Sequence, residues 1–162
     1  MIPYNEDREN VVSGLSEHLG ITIIRANQIA PAPKYPYGSY TVTTLATANN
    51  GTWQQHEDGK DRKQVRSIWS LSFMSDDSEE SVMLAMKARE WLEHTGRIWL
   101  KDRGITVQST TDITNRDNVL TAGYEYKHGF DVVFYVYDEV DNPVAETTGY
   151  IESVTISHDS TN

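Results

Sequence analysis

The sequence has no cysteine. Disulfide staples and thiolate chemistry are therefore excluded, and the composition fits synthesis in a reducing cytoplasm. It has no apolar run approaching the roughly 18 residues that cross a bilayer as a helix, so no membrane partner is expected. The opening Met-Ile-Pro-Tyr-Asn-Glu-Asp lacks the basic stretch and apolar core of a secretory signal. Basic residues are scarce: 14 Lys and Arg stand against 24 Asp and Glu, a formal net charge of −10. Gripping nucleic-acid phosphates takes a basic face, and this balance argues against such a protein. Two readings of the acidity stay open. It serves solubility, or it forms a wall past which a polyanion slides without sticking.

The motifs of enzyme chemistry are missing too. There is no glycine-rich phosphate loop, nucleophile elbow or His-Glu-x-x-His pair. The five histidines, at 18, 56, 94, 128 and 158, stand apart, and His18 suits the carboxyl end of a helix. His56-Glu57-Asp58 lies in a polar stretch without further ligands. Asp138, Asp141 and Asn142 are a fragment of a calcium loop that Pro143 interrupts. No metal and no cofactor is expected. The acid pairs Asp76-Asp77 and Glu79-Glu80 are explained by helix capping.

What is present is an ordinary globular composition: 162 residues, 38% hydrophobic and 23% charged. That is enough for one domain over 1–162 with its own core. Asn5 or Asp7 can cap a first helix, with Asp7 and Glu9 in its first turn. Its apolar stripe is Val11, Val12, Leu15 and Leu19, and Gly20 is its stop. A short β-branched strand over 21–26 and a second over 37–48 follow. On the second, Tyr40 and Val42 share one face and Thr41, Thr43 and Leu45 the other.

Residues 49–63 are polar and read as a long hairpin loop, a length that marks functional or mobile segments. Trp53 within it is either an anchor for a neighbour or a plug folded back on the core. Strand 64–75 carries Val65, Trp69, Leu71 and Phe73 on one face and Arg66, Ile68, Ser70 and Ser72 on the other. A second helix, capped at Asp76-Asp77-Ser78, runs to about Thr95 and stops at Gly96. It packs Leu84, Ala85, Ala88, Trp91 and Leu92, with Met83 and Met86 at the border. Residues 97–102 tuck under its end, 105–109 form a strand, and 110–118 are irregular. The longest strand covers 124–137, a turn covers 138–143, and 149–158 adds a last strand before a frayed tail. The sum is an α+β fold: a mostly antiparallel mixed sheet, two main helices on a face, and a long β-hairpin loop.

The chain is organised around residues 23–42. Pro31, Pro33 and Pro36 each fix φ, remove a donor and push the preceding residue to extended geometry. The stretch is a stiff crossover that delivers the next strand at a fixed angle, or a plain surface loop. Its residues Arg25, Asn27, Gln28, Pro31, Pro33, Pro36 and Tyr37 spell Arg-x-Asn-Gln-x-x-Pro-x-Pro-x-x-Pro-Tyr after an amino-terminal helix. This resembles the neck or tail terminator proteins of tailed bacteriophages, the tail-completion proteins that join head to tail. The order of elements extends the likeness over nearly the whole chain, apart from the loop after Ala48 and the tail after Glu152.

The resemblance implies a structural virion protein rather than an enzyme, made in the host bacterial cytoplasm. It implies a ring, six-membered, that caps the tail tube and joins the tail to the head or neck. The implied partners are further copies of the chain, the tail tube protein, a head-completion or connector protein, and the sheath protein where the tail contracts. DNA passes through an acidic channel without specific binding. Read this way, the subunit or tube interface falls to Arg25, Asn27, Gln28, Tyr35, Tyr37 and Trp53, and the channel to Glu57, Asp58 and Asp61. Two alternatives stand beside it. One is a non-catalytic adaptor that binds protein or glycan through Tyr35, Tyr37, Tyr40 and Trp53. The other is a small hydrolase or isomerase whose site assembles from distant residues.

Overall fold

The structure, a computed structural model, describes residues 1–47, 51–120 and 123–142, with the backbone alone at 119, 120 and 123. The expected strand over 149–158, Pro143 and the start of the 49–63 loop lie outside the described residues.

Helix α1 spans Tyr4–Leu19 and buries Val11 and Leu15, one helical turn apart. Gly20, at φ 68°, ends it and returns its N–H to the Ser16 carbonyl. Neither Asn5 nor Asp7 caps the helix, as was expected from the sequence. The helix starts directly behind Pro3 without a side-chain cap, and Asp7 is a buried residue inside it. A proline at a helix start lacks the N–H that would otherwise need a partner, so the helix can begin earlier than a polar cap would place it.

Strand β1 (Thr22–Arg25) pairs in parallel with β2 (Tyr37–Thr44), and the proline stretch between them is the crossover that a parallel pair requires. β2 is shorter than the expected 37–48 and carries a register irregularity between Val42 and Thr44. Part of the expected 49–63 loop is regular structure. β3 (Gln54–Gln55) turns through His56–Gly59 into β4 (Lys60–Ser75), with Gly59 at φ 76°. Asp77 caps α2 (Ser78–Glu93), its carboxylate accepting the Glu80 N–H at 2.9 Å.

Gly96 does not stop α2. The helix ends at Glu93, and Gly96 is buried in a third helix, α3 (Thr95–Lys101). A Cβ at Gly96 would lie 2.2 Å from the Trp91 indole, so close packing explains the glycine better than chain termination does.

β5 (Thr106–Thr110), β6 (Thr114–Asn115) and β7 (Asn118–Leu120) all pair with one side of β8 (Gly123–Asp141). The segment 110–118, expected to be irregular, is thus an interrupted edge strand. The Thr111 and Arg116 N–H groups keep it laced to Asp131 and Lys127 of β8. The expected turn at 138–143 is also corrected over its described part. β8 continues to Asp141 because β4 pairs with it as far as Lys60. The main strand order is β1-β2-β4-β8-β5, parallel at one edge and antiparallel elsewhere.

The core lies between the helices and one face of the sheet. Trp69, Leu71 and Phe73 of β4 and Phe130, Val132 and Phe134 of β8 meet Leu15, Leu84, Ala88 and Leu92. Alternation sends Arg66, Ile68, Ser70 and Ser72 to the opposite face. There Arg116 lies across the strands, donating to Ser70 Oγ at 2.8 Å, Ser72 Oγ at 3.2 Å and Asp131 at 3.0 Å. Regular burial stops at Val65 and Val136. Beyond them, Lys60–Gln64 and Tyr137–Asp141 continue with β3 as a ribbon that reaches past the core.

Candidate functional site

Among the described residues β1 pairs with β2 alone, so one side of its backbone is an open sheet edge. An open groove of about 860 Å³ runs between β1 and α1, lined by Arg8, Ser13, Ile24, Arg25, Gln28 and Tyr40 among others. Arg25 closes β1, and Asn27 follows at φ 58°, a left-handed conformation that asparagine tolerates better than most residues. That turn leads the chain off the edge and leaves Gln28 exposed beside the groove.

Tyr35 and Tyr37 lie at the other end of the proline stretch and do not join this groove. Their rings stack at 5.7 Å, and both hydroxyls donate to Glu125 of β8, at 2.8 and 3.4 Å. Burial first, and then the Glu125 carboxylate, pushes Tyr35 up to about 12 and Tyr37 in the same direction, so both remain neutral donors. Tyr35 is 39% exposed but Tyr37 only 7%. Tyr37 therefore acts mainly as the fastening of the crossover onto the sheet, and Tyr35 covers it.

The ribbon carries the remaining expected residues. Trp53, just before β3, is 40% exposed and outside the core, which decides against its reading as a core plug. Glu57 is exposed at the hairpin turn. Asp58 accepts from the Arg62 guanidinium at 2.6 Å and from the Lys60 N–H at 3.1 Å. Desolvation works against the charge of Asp58, yet Arg62 and the Lys60 amide hold its carboxyl below the ordinary aspartate range. Arg62 also donates to Glu139 at 2.7 Å, and Asp61 accepts from Asn142 at 2.9 Å. The hairpin 54–63 is close to neutral, with Glu57, Asp58 and Asp61 set against Lys60, Arg62 and Lys63, and Asp58 and Glu139 share the Arg62 guanidinium.

Among the described residues, two buried arrangements bear on catalysis. Ser81 Oγ lies 2.8 Å from His128 Nδ1, but it is fully buried and donates to the Ser78 carbonyl at 2.9 Å. A hydroxyl so committed reaches no substrate. The small cavity lined by Asp7, Ser67 and Trp69 has about 10 Å³, room for about one water. No group of three metal-ligating side chains occurs among the described residues.

Sequence reasoning missed Glu125, Arg116 and the buried setting of Asp7. Nothing in the local pattern marks Glu125 or Arg116, whose partners are distant in sequence. Asp7 did leave a signal, since Asp7, Val11 and Leu15 fall at the helical i, i+4 spacing.

Fold and surfaces together define an α+β protein equipped with an open sheet edge, a groove and a projecting hairpin, the equipment of an assembly subunit. The chain belongs to the phage neck terminator family, whose model matches residues 9–161. No curated protein matches it. The match takes in the loop after Ala48 and most of the tail after Glu152, which the proline-stretch resemblance did not reach. The family is a structural one of the bacteriophage neck and tail, and the chain is accordingly a virion component that associates with other tail or head proteins.

Proposed function

We propose that the protein forms a ring, of six copies, that caps the tail tube and joins the tail to the head or neck. The observation that carries this reading is the open edge of β1 beside a groove lined by Arg25 and Gln28. An unpaired edge invites another strand, and a head-to-tail contact that closes into a ring can cover such an edge in every subunit. Each subunit lends the β3–β4 hairpin to a neighbour or to the tube, with Trp53 as its anchor. Arg25, Asn27 and Gln28 serve the groove side of the contact, and Tyr35, braced by Tyr37, serves the opposite side.

Seating on the last tube ring blocks further addition of tube protein, and the outer face receives a head-completion or connector protein. A contractile tail would add the sheath protein as a partner. Glu57, Asp58 and Asp61 face the channel, where negative charge keeps passing DNA from adhering. Synthesis takes place in the host cytoplasm and the final location is the virion. Sedimentation of the purified protein, alone and with assembled tubes, tests this. A closed oligomer that binds tube ends is expected, and a permanent monomer that ignores tubes overturns it.

A further inference from the structure

We propose that the outer face of α3 is the seat on which a second copy of this chain docks through its carboxylates. The inference rests on the ring reading above and names which surfaces meet. Gly96 and Leu100 turn inwards, so the helical period turns Arg97, Ile98 and Lys101 outwards. Ile98 is 66% exposed, an apolar centre between two cations. Arg103 lies on the other flank of the helix, over Trp99, and not beside Arg97 and Lys101. Its guanidinium lies 3.6 Å above the Trp99 indole, and its Nη1 donates to the Trp99 carbonyl at 3.0 Å. A cation already held in place loses less freedom on binding than a loose one.

Five of the other eleven Lys and Arg residues are neutralised within the subunit. Arg8, Lys60, Arg62, Arg89 and Arg116 each pair with a carboxylate. Among the described residues, no carboxylate pairs with Arg97, Lys101 or Arg103. Residues 97–103 set three cations against one carboxylate, Asp102, a local excess of positive charge in a chain of net charge −10.

The complement lies on the same subunit, at the far end of α2, about 24 Å away for a helix of 16 residues. Asp76, Asp77, Glu79 and Glu80 are exposed there, and none has a cationic partner among the described residues. Opposite charges at the two ends of one helix layer suit head-to-tail contact and penalise head-to-head contact. A bound duplex fits less well, because three cations must work against the field of an acidic subunit.

Charge reversal tests the seat. Arg97→Glu with Lys101→Glu should weaken self-assembly about tenfold or more, as should Asp76→Lys with Glu79→Lys. Mixed in equal amounts, the two variants should assemble again as alternating copies. Raising salt from about 0.05 M to about 0.5 M should weaken the wild-type contact. Unchanged circular dichroism and melting show that each variant is folded. If the wild type assembles and R97E/K101E assembles equally well, the seat is wrong while the ring reading survives. If the wild type never self-associates, alone or on tubes, both fall. A short DNA duplex that binds the wild type, but not R97E/K101E, without self-assembly would assign the face to DNA and overturn the proposal.

Discussion

Asp7 is the residue whose setting conflicts most with its chemistry. It is 8% exposed, and its Oδ2 is buried without a hydrogen-bond partner among the described residues. It lines a small cavity with Tyr4, Ser67, Trp69 and apolar residues. Burial, and secondarily the Glu6 charge, raises its pKa from 3.8 to about 6. The folded state therefore holds the proton more tightly than the unfolded chain. The stability this lends is complete below about pH 4 and is lost as the pH rises through about 6. The gap corresponds to about 3 kcal/mol. Asp7→Asn, which keeps the shape without the charge, should raise stability at pH 7.5 by about 1–3 kcal/mol and flatten its dependence between pH 4 and 7. Urea unfolding of both proteins at pH 5 and 7.5 checks this. An unchanged difference between the two pH values would show that the carboxyl is not the cause. Its sequence role was misread because an aspartate near a helix start is usually a cap.

Among the elements, helix and strand types were largely legible, because apolar periods of 3.6 and 2 mark α2, β4 and β8 directly. What stayed hidden depended on partners distant in sequence. Gly96 carries the usual mark of a helix stop, and only the Trp91 indole shows why no side chain fits there. Gly96→Ala should destabilise the α2–α3 junction by about 1–3 kcal/mol, although alanine is the better helix former. A lower melting temperature with α1 and α2 still helical would bear this out, and a neutral or stabilising effect would refute the packing argument. The end of β8 is the second case. Asp138–Asp141 has turn-like composition, yet it lies flat because β4 runs beside it and Arg62 and Lys60 hold Glu139. Partly exposed ion pairs contribute little to global stability. Arg62→Ala should therefore cost under about 1 kcal/mol overall while speeding amide exchange along Lys60–Arg62 and Glu139–Asp141. Exchange rates that stay unchanged there would mean that strand pairing alone holds the ribbon.

For the molecule as a whole, no local pattern reveals that β1 and β2 run parallel, since β1 is four residues long and its partner is reached only through the prolines. That topology decides what the open edge can offer. The Ala26 N–H donates to the Tyr40 carbonyl of β2 at 2.8 Å. Because successive strand residues alternate, the Arg25 N–H points away from β2, towards the open side. Arg25→Pro removes that one outward donor and leaves the bonds to β2 in place. Arg25→Ala removes the side chain and keeps the donor. If neighbouring subunits join by strand pairing at this edge, the proline variant should remain folded, with stability within about 1 kcal/mol of the wild type, and fail to form rings. The alanine variant should still form them, more weakly. Negative-stain imaging and sedimentation of the two proteins separate the cases. Equal loss in both would place the contact in the guanidinium, and rings formed by the proline variant would show that the β1 edge stays free in the assembly.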